Sequence, residues 1–156
     1  LDHGTWTIIR HMYPDANIPV LQLSIDYTKG GQFHYELAKE LVALRKKGVL
    51  IVGSGNMVHN LRMVAWNRLD DSGFGFDWAI TANELFKSLI ISGDHKALME
   101  YSSLGKEAQL AIPTPEHYLP LLYSLALQGP SDRIDIFNDQ LVGGSLTMTS
   151  VKIANN

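Results

Sequence analysis

Three histidines and one carboxylate stand where this sequence could do chemistry: His3 in LDHGTW, His59 in VLIVGSGNMVHN, and Glu116 with His117 in PTPEHYLP. Imidazole titrates near neutral pH, so each histidine is a candidate general acid or base, and the neutral ring is a candidate metal ligand. His59 follows the apolar run Val49 to Val52 and two glycines, Gly53 and Gly55. In open α/β sheets ligands gather beyond the carboxyl ends of strands, which is where that order puts it. A loop histidine satisfying hydrogen bonds is the plainer alternative, and both stay open. In PTPEHYLP, Thr114 suits a helix cap and Pro115 the first helical position, so Glu116 and His117 fall in the first turn. A carboxylate there complements the helix dipole. A cation there is disfavoured, so a neutral, metal-binding form of His117 is favoured. Ser54 is a rival nucleophile, but a nucleophile elbow needs glycine two residues to either side, and Val52 and Asn56 stand there. His3 precedes a helix as an ordinary turn histidine would, while His11, His34 and His95 read as structural or solvent-facing.

The spacing alone stops short of a metal site. There is no HExxH, no close histidine pair and no glycine-rich phosphate loop. A non-haem iron or zinc centre needs about three protein ligands plus open positions, and the segment offers two convincing ones. With no cysteine in the chain, any metal must be held by histidine and carboxylate.

Positioning these groups is the work of the surrounding elements. Thr5 to Tyr13 reads as a short helix capped by Thr5, and Ile18 to Ile25 as a strand. Gly30 and Gly31 open an amphipathic helix, Gln32 to Lys47, whose basic last turn before Gly48 is a stop signal. Val49 to Val52 is the next strand, giving a strand, helix, strand order with a crossover long enough for a parallel βαβ unit. Asn67 to Asp77 is a polar, glycine-rich surface loop, Trp78 to Ser92 a helix, and Lys96 to Leu110 a broken helical run. A helix from the PTPEHYLP turn reaches about Leu127, and two strands follow, Ile134 to Phe137 and Ser145 to Ile153. The expected class is α/β, a three-layer α/β/α arrangement with a mixed, partly parallel central sheet.

Composition excludes several function classes. The 156 residues are 46% hydrophobic and 19% charged, a globular balance that fits one domain. A formal net charge of −3 supplies no basic face for nucleic acid. No apolar run approaches the roughly 20 residues needed to span a bilayer, and no signal peptide opens the chain, so a cytoplasmic location is expected. The sequence begins at Leu1 without a methionine, and we read it as the carboxy-terminal part of a longer polypeptide.

Four ordered motifs, LDHGTW (Leu1 to Trp6), GSGNMVHNLR (Gly53 to Arg62), PTPEHYLPLLY (Pro113 to Tyr123) and GGSLTMTSV (Gly143 to Val151), resemble the class III extradiol ring-cleavage dioxygenase family. Within it they are most similar to the bacterial and plant 4,5-DOPA extradiol dioxygenases, and the likeness runs end to end. The resemblance implies that residues 1–156 are the carboxy-terminal part of a single catalytic domain, with roughly one hundred further residues upstream. It implies a metal centre at which His117 is a ligand and His59 stands beside the metal and moves protons. Glu116 is a possible substitute ligand, since the protocatechuate branch uses a glutamate. His3 would line the substrate and oxygen pocket, and two further metal-binding histidines would come from the upstream part.

The implied cofactor is a divalent metal, Fe(II) for activity or Zn(II) as found, and the implied substrates are O2 and a catechol such as L-DOPA. Iron with open positions brings both reactants together and acidifies the bound hydroxyl. His59 or His3 would accept the second catechol proton and return it as the ring opens beside its hydroxyls to a muconic semialdehyde. Two alternatives belong to other classes: a zinc-dependent hydrolase on a related framework, which needs no oxygen, and a non-catalytic metal-binding module.

Overall fold

Apolar residues at Ala79, Ala82, Phe86 and Ile90 recur at intervals of three and four, and they lie buried along one side of the longest helix, α4 (Asp77–Ser92). That spacing makes a single apolar stripe, which is stable only against other elements. Its end is set by Gly93 in the left-handed conformation at φ 72°, a backbone state that glycine adopts without steric cost. The computed structural model describes residues 1–155, and this helix is its centre.

Three other helices close over the stripe: α5 (His95–Met99), α6 (Lys106–Ala111) and α7 (Leu119–Ala126). Leu98, Ala108, Ala111, Leu119, Leu122 and Leu125 join Phe86 and Ile90 in one buried cluster. Tyr118, at the entry to α7, is also buried there, and its hydroxyl donates to the Leu98 carbonyl at 2.9 Å. The bond is what lets a phenol sit in an apolar core. Burial, followed by the neighbouring Tyr101, pushes its pKa far above the ordinary phenol value, so it stays a neutral donor.

Before this core come α1 (His3–Met12), α2 (Gly31–Lys39) and α3 (Val42–Arg45). Helix α2 packs on α7. His34 of α2 is fully buried, with one ring nitrogen 3.0 Å from the Tyr123 hydroxyl and the other 3.0 Å from the Asp26 carbonyl. This is the structural role expected of it. The helix expected over Gln32 to Lys47 is broken, because Glu40 and Leu41 donate to the carbonyls three residues back, Leu37 and Ala38. Tightening of that kind shifts the side chains out of the α-helical phase.

The expected Thr5 cap is corrected to Asp2, whose carboxylate accepts from the Thr5 amide at 2.8 Å. Asp2 is the better choice because its charge also complements the helix start.

Among the described residues the strands lie at the carboxy-terminal end, in two antiparallel pairs. Strand β1 (Arg133–Phe137) pairs with β4 (Ser150–Ala154), placing Ile134 opposite Ile153 and Ile136 opposite Val151. Strand β2 (Leu141–Val142) pairs with β3 (Leu146–Thr147). The single strand expected from Ser145 to Ile153 is thus two, turned at Met148 and Thr149. Met148 donates its amide to the Gln140 carbonyl at 2.9 Å. The Thr149 hydroxyl lies within hydrogen-bond distance of buried Asn83 and of Asp139. The chain is therefore mixed helix and strand. Ile18 to Ile25 and Val49 to Val52, both expected as strands, run without a ladder partner and form no strand among the described residues.

Candidate metal centre

The loop carrying His59 is fixed by backbone contacts that only small residues permit. Asn56 donates its amide to the His117 carbonyl at 2.8 Å. A Cβ at position 55 would fall 2.1 Å from that same carbonyl oxygen, so glycine is required there by close approach. Further on, the His59 amide donates to Ala111 at 2.8 Å and the Asn60 amide to Ser145 at 3.1 Å. Asn56 Nδ2 reaches the Thr147 carbonyl at 2.6 Å, and Asn60 Nδ2 the Leu110 carbonyl at 2.8 Å. Ser145 returns a bond from its hydroxyl to the Asn60 carbonyl at 2.9 Å. His59 is held against β3 on one side and the end of α6 on the other.

His117 comes from the short 3₁₀ turn Pro115–His117 that precedes α7. Pro115 takes the first position, as expected. Thr114, expected to cap through its side chain, instead donates its hydroxyl to Glu116 Oε1 at 2.7 Å. The turn and the glycine loop then bring the two imidazoles face to face, with centroids 3.7 Å apart and planes 17° from parallel.

That contact governs protonation. The His59 pKa is lowered, first by burial and then by the charge of His117, with Glu116 pulling the other way. Two stacked imidazolium rings would repel at short range, so the neutral ring is favoured at His59. At Glu116 burial acts to raise the pKa, but the Thr114 hydroxyl, the residue's own backbone amide and both histidines outweigh it, and the carboxylate stays ionised below its usual range. Neutral imidazole and carboxylate are donor types that suit a divalent transition metal. Among the described residues no three histidine or acidic groups are arranged to hold one. The donor chemistry fits, and the donor count is short.

The family model described as the catalytic LigB subunit of aromatic ring-opening dioxygenase matches residues 1–143. The chain belongs to this family. It is 44% identical over 155 residues to a 4,5-DOPA dioxygenase extradiol of Escherichia coli (strain K12), covering 97% of this chain and 56% of that protein. It is 31% identical to one of Beta vulgaris, covering 99% and 56%. A crystal structure of an uncharacterized protein from Escherichia coli K12 superposes with a TM-score of 0.88 at 42% identity, covering 99% of this chain and 63% of that one. The chain thus spans little more than half the length of these curated LigB-family relatives.

Against the sequence expectations, the structure unites His59 and His117 and sets Glu116 beside them. It leaves His3 exposed on α1, where its ring packs edge-on to Trp6 at 5.1 Å. Among the described residues no ring contact joins His3 to the pair. The residues that sequence reasoning missed are those that aim the histidines: Asn56, Asn60, Ser145 and Thr147. Their signal was present, since all four lie in the GSGNMVHNLR and GGSLTMTSV motifs, but nothing in either motif alone says that the two meet.

Proposed function

We propose that this chain is the carboxy-terminal part of a single catalytic domain of a non-haem, metal-dependent extradiol dioxygenase, opening a catechol such as L-DOPA with O2 to a muconic semialdehyde. The observation that carries the reading is the stacked His59 and His117 pair in a chain of the LigB family. The expected three-layer framework with a partly parallel central sheet belongs to the same reading, supported by the strand-like apolar composition of Ile18 to Ile25 and Val49 to Val52.

His117 would hold the metal with donors from outside these residues, and His59 would stand beside it. Bound Fe(II) supplies redox chemistry toward oxygen and acidifies a catechol hydroxyl, whereas Zn(II) supplies Lewis acidity alone. The residues of this chain do the proton work. His59, favoured as the neutral ring, accepts the second catechol proton at an imidazole nitrogen and returns it to the product. His3 is the second candidate for that transfer and for contact with the substrate.

The test is oxygen uptake on adding L-DOPA, after anaerobic loading with ferrous iron or zinc. It is run on a fusion of this chain to the portion of the Escherichia coli relative that lies outside the match. Iron-dependent uptake with a yellow, visibly absorbing product is expected. Turnover that proceeds without oxygen, or no uptake with either metal, would overturn the reading.

A further inference from the structure

Ser145, Thr147 and Thr149 stand two residues apart in GGSLTMTSV, a spacing that puts side chains of extended chain on one face. That face is the buried one: the three are 0%, 1% and 9% exposed, whereas Met148 between the last two is 42% exposed. Buried hydroxyls need partners, and these three divide theirs between two parts of the molecule. Ser145 gives its hydroxyl to the Asn60 carbonyl, and Thr147 Oγ1 accepts from the Val58 amide at 3.3 Å. The Thr147 backbone adds two more bonds to the same loop, its amide donating to the Val58 carbonyl at 3.1 Å and its carbonyl accepting from Asn56 Nδ2. The Thr149 hydroxyl instead lies 3.0 Å from Oδ1 of buried Asn83 on α4 and 2.9 Å from Asp139 Oδ1. Asn83 Nδ2 donates to that Asp139 oxygen at 2.9 Å, and Lys87, one turn further along α4, pairs with the other Asp139 oxygen and with Glu84.

We propose that Thr149 is a positioning residue for His59, locking the turn after β3 to α4 so that Thr147 and Ser145 hold the His59 loop against His117. The role in turnover rests on the reading of His59 as the proton carrier given above. Only Met148 separates Thr149 from Thr147, and two extended residues span at most about 7 Å. A shift at Thr149 therefore passes to Thr147 and on to the loop. Helix α4 is a firm anchor, since its Ala79, Ala82, Phe86 and Ile90 are fully buried. His117 belongs to a different element, the turn that enters α7, so the 3.7 Å stacking of the two rings depends on how firmly the loop is held from the β3 side. Without the Thr149 hydroxyl, Asn83 Oδ1 loses that donor and the turn is released from α4. Catalysis by a positioned group is sensitive to such a release, because a misplacement of about 1 Å can cost about a hundredfold in rate.

The experiment compares the fusion described above, loaded with Fe(II), with its Thr149→Val and Thr149→Ser variants. Valine keeps the shape and removes the hydroxyl, whereas serine keeps the hydroxyl. Thr149→Val is expected to lower kcat for L-DOPA about tenfold to a hundredfold with KM changed less than about threefold, and Thr149→Ser to stay within about threefold of wild type in both. A second readout needs no turnover. In the metal-free protein the Val58 and Asn60 amides, which donate to Thr147 and Ser145, should exchange at least about tenfold faster in Thr149→Val, with the Ile90 amide of α4 unchanged. Asp139→Ala removes a partner of Thr149 at a side chain 34% exposed, and it should move both readouts the same way by at least about threefold. Should Thr149→Val not fold, Asp139→Ala carries the test. Wild-type kcat in an active fusion, unchanged loop exchange, equal acceleration at Ile90, or failure of serine to rescue would overturn the proposal. If the wild-type fusion takes up no oxygen, the functional reading fails, and exchange at Val58 and Asn60 alone decides whether Thr149 holds the loop.

Discussion

Gly55 shows how much of the candidate centre rests on one absent methyl group. The Asn56 amide reaches the His117 carbonyl because nothing projects from position 55, and the ring stacking of His59 on His117 depends on that approach. Gly55→Ala is therefore expected to cost about 1–3 kcal/mol through overpacking against backbone that cannot swing aside. Urea unfolding of the variant checks the stability, and loss of Fe(II) or Zn(II) affinity checks the link to the centre. The histidines themselves should separate by role. His117→Ala is expected to lower metal affinity at least about tenfold, measured by equilibrium dialysis; unchanged occupancy would remove it as a ligand. His59→Ala is expected to cut turnover about 10²–10⁴-fold at equal metal content. The candidates were legible in the sequence because each sits in a distinctive turn. Their contact was not, since it depends on backbone packing between segments about sixty residues apart.

At the scale of elements, a largely buried ion pair ties α3 to the turn before β1. Arg45 Nη1 lies 2.6 Å from Asp132 Oδ2, the Asp132 side chain is only 1% exposed, and the Gly129 amide also donates to that carboxylate at 2.7 Å. The Arg45 hydrogen bond, followed by the Gly129 amide and the Arg45 charge, holds the Asp132 pKa below the ordinary carboxylate value against the opposing effect of burial. A depressed folded-state pKa means that the unfolded chain binds the proton more readily. Its contribution is then complete above the ordinary carboxylate range and is lost as pH falls through and below it. Arg45→Met should cost about 1.5–3 kcal/mol at neutral pH, with the difference from wild type narrowing in acid, as followed by chemical denaturation from neutral pH to pH 3. A gap that stays constant with pH would show that Asp132 is not the group involved.

Elements also mark the limit of what the sequence disclosed. Helix α4 was legible almost to the residue, because a 16-residue apolar stripe ending at glycine carries its own instructions. The short helices between His95 and Ala111 were legible as a broken run for the same local reasons. Ile18–Ile25 and Val49–Val52 have strand composition, yet composition cannot make a ladder without a partner. The parallel unit inferred from them needs strands that the described residues do not supply to those positions. The split of Ser145–Ile153 was hidden for a related reason, since Thr149 turns toward Asn83 and Asp139, residues far from it or outside its strand.

For the molecule as a whole, burial is distributed unevenly, and order should follow it. Helices α4 and α7 hold many of the fully buried side chains, including Phe86, Ile90, Leu119, Leu122 and Leu125, whereas α1 contains no buried residue. Local opening is easiest where few apolar contacts must be broken. Native-state hydrogen exchange should therefore find the slowest amides in α4 and α7, near the global unfolding free energy, and α1 amides exchanging at least about a hundredfold faster. Equal protection of α1 and α4 would count against this division. The consequence reaches the candidate centre, because His59 and His117 are held by the slow core while His3 rides on the fast helix. In the 156-residue chain alone, metal affinity should therefore depend on His117 and remain nearly unchanged in His3→Ala. Any contribution of His3 to turnover should emerge only in a longer polypeptide that orders α1.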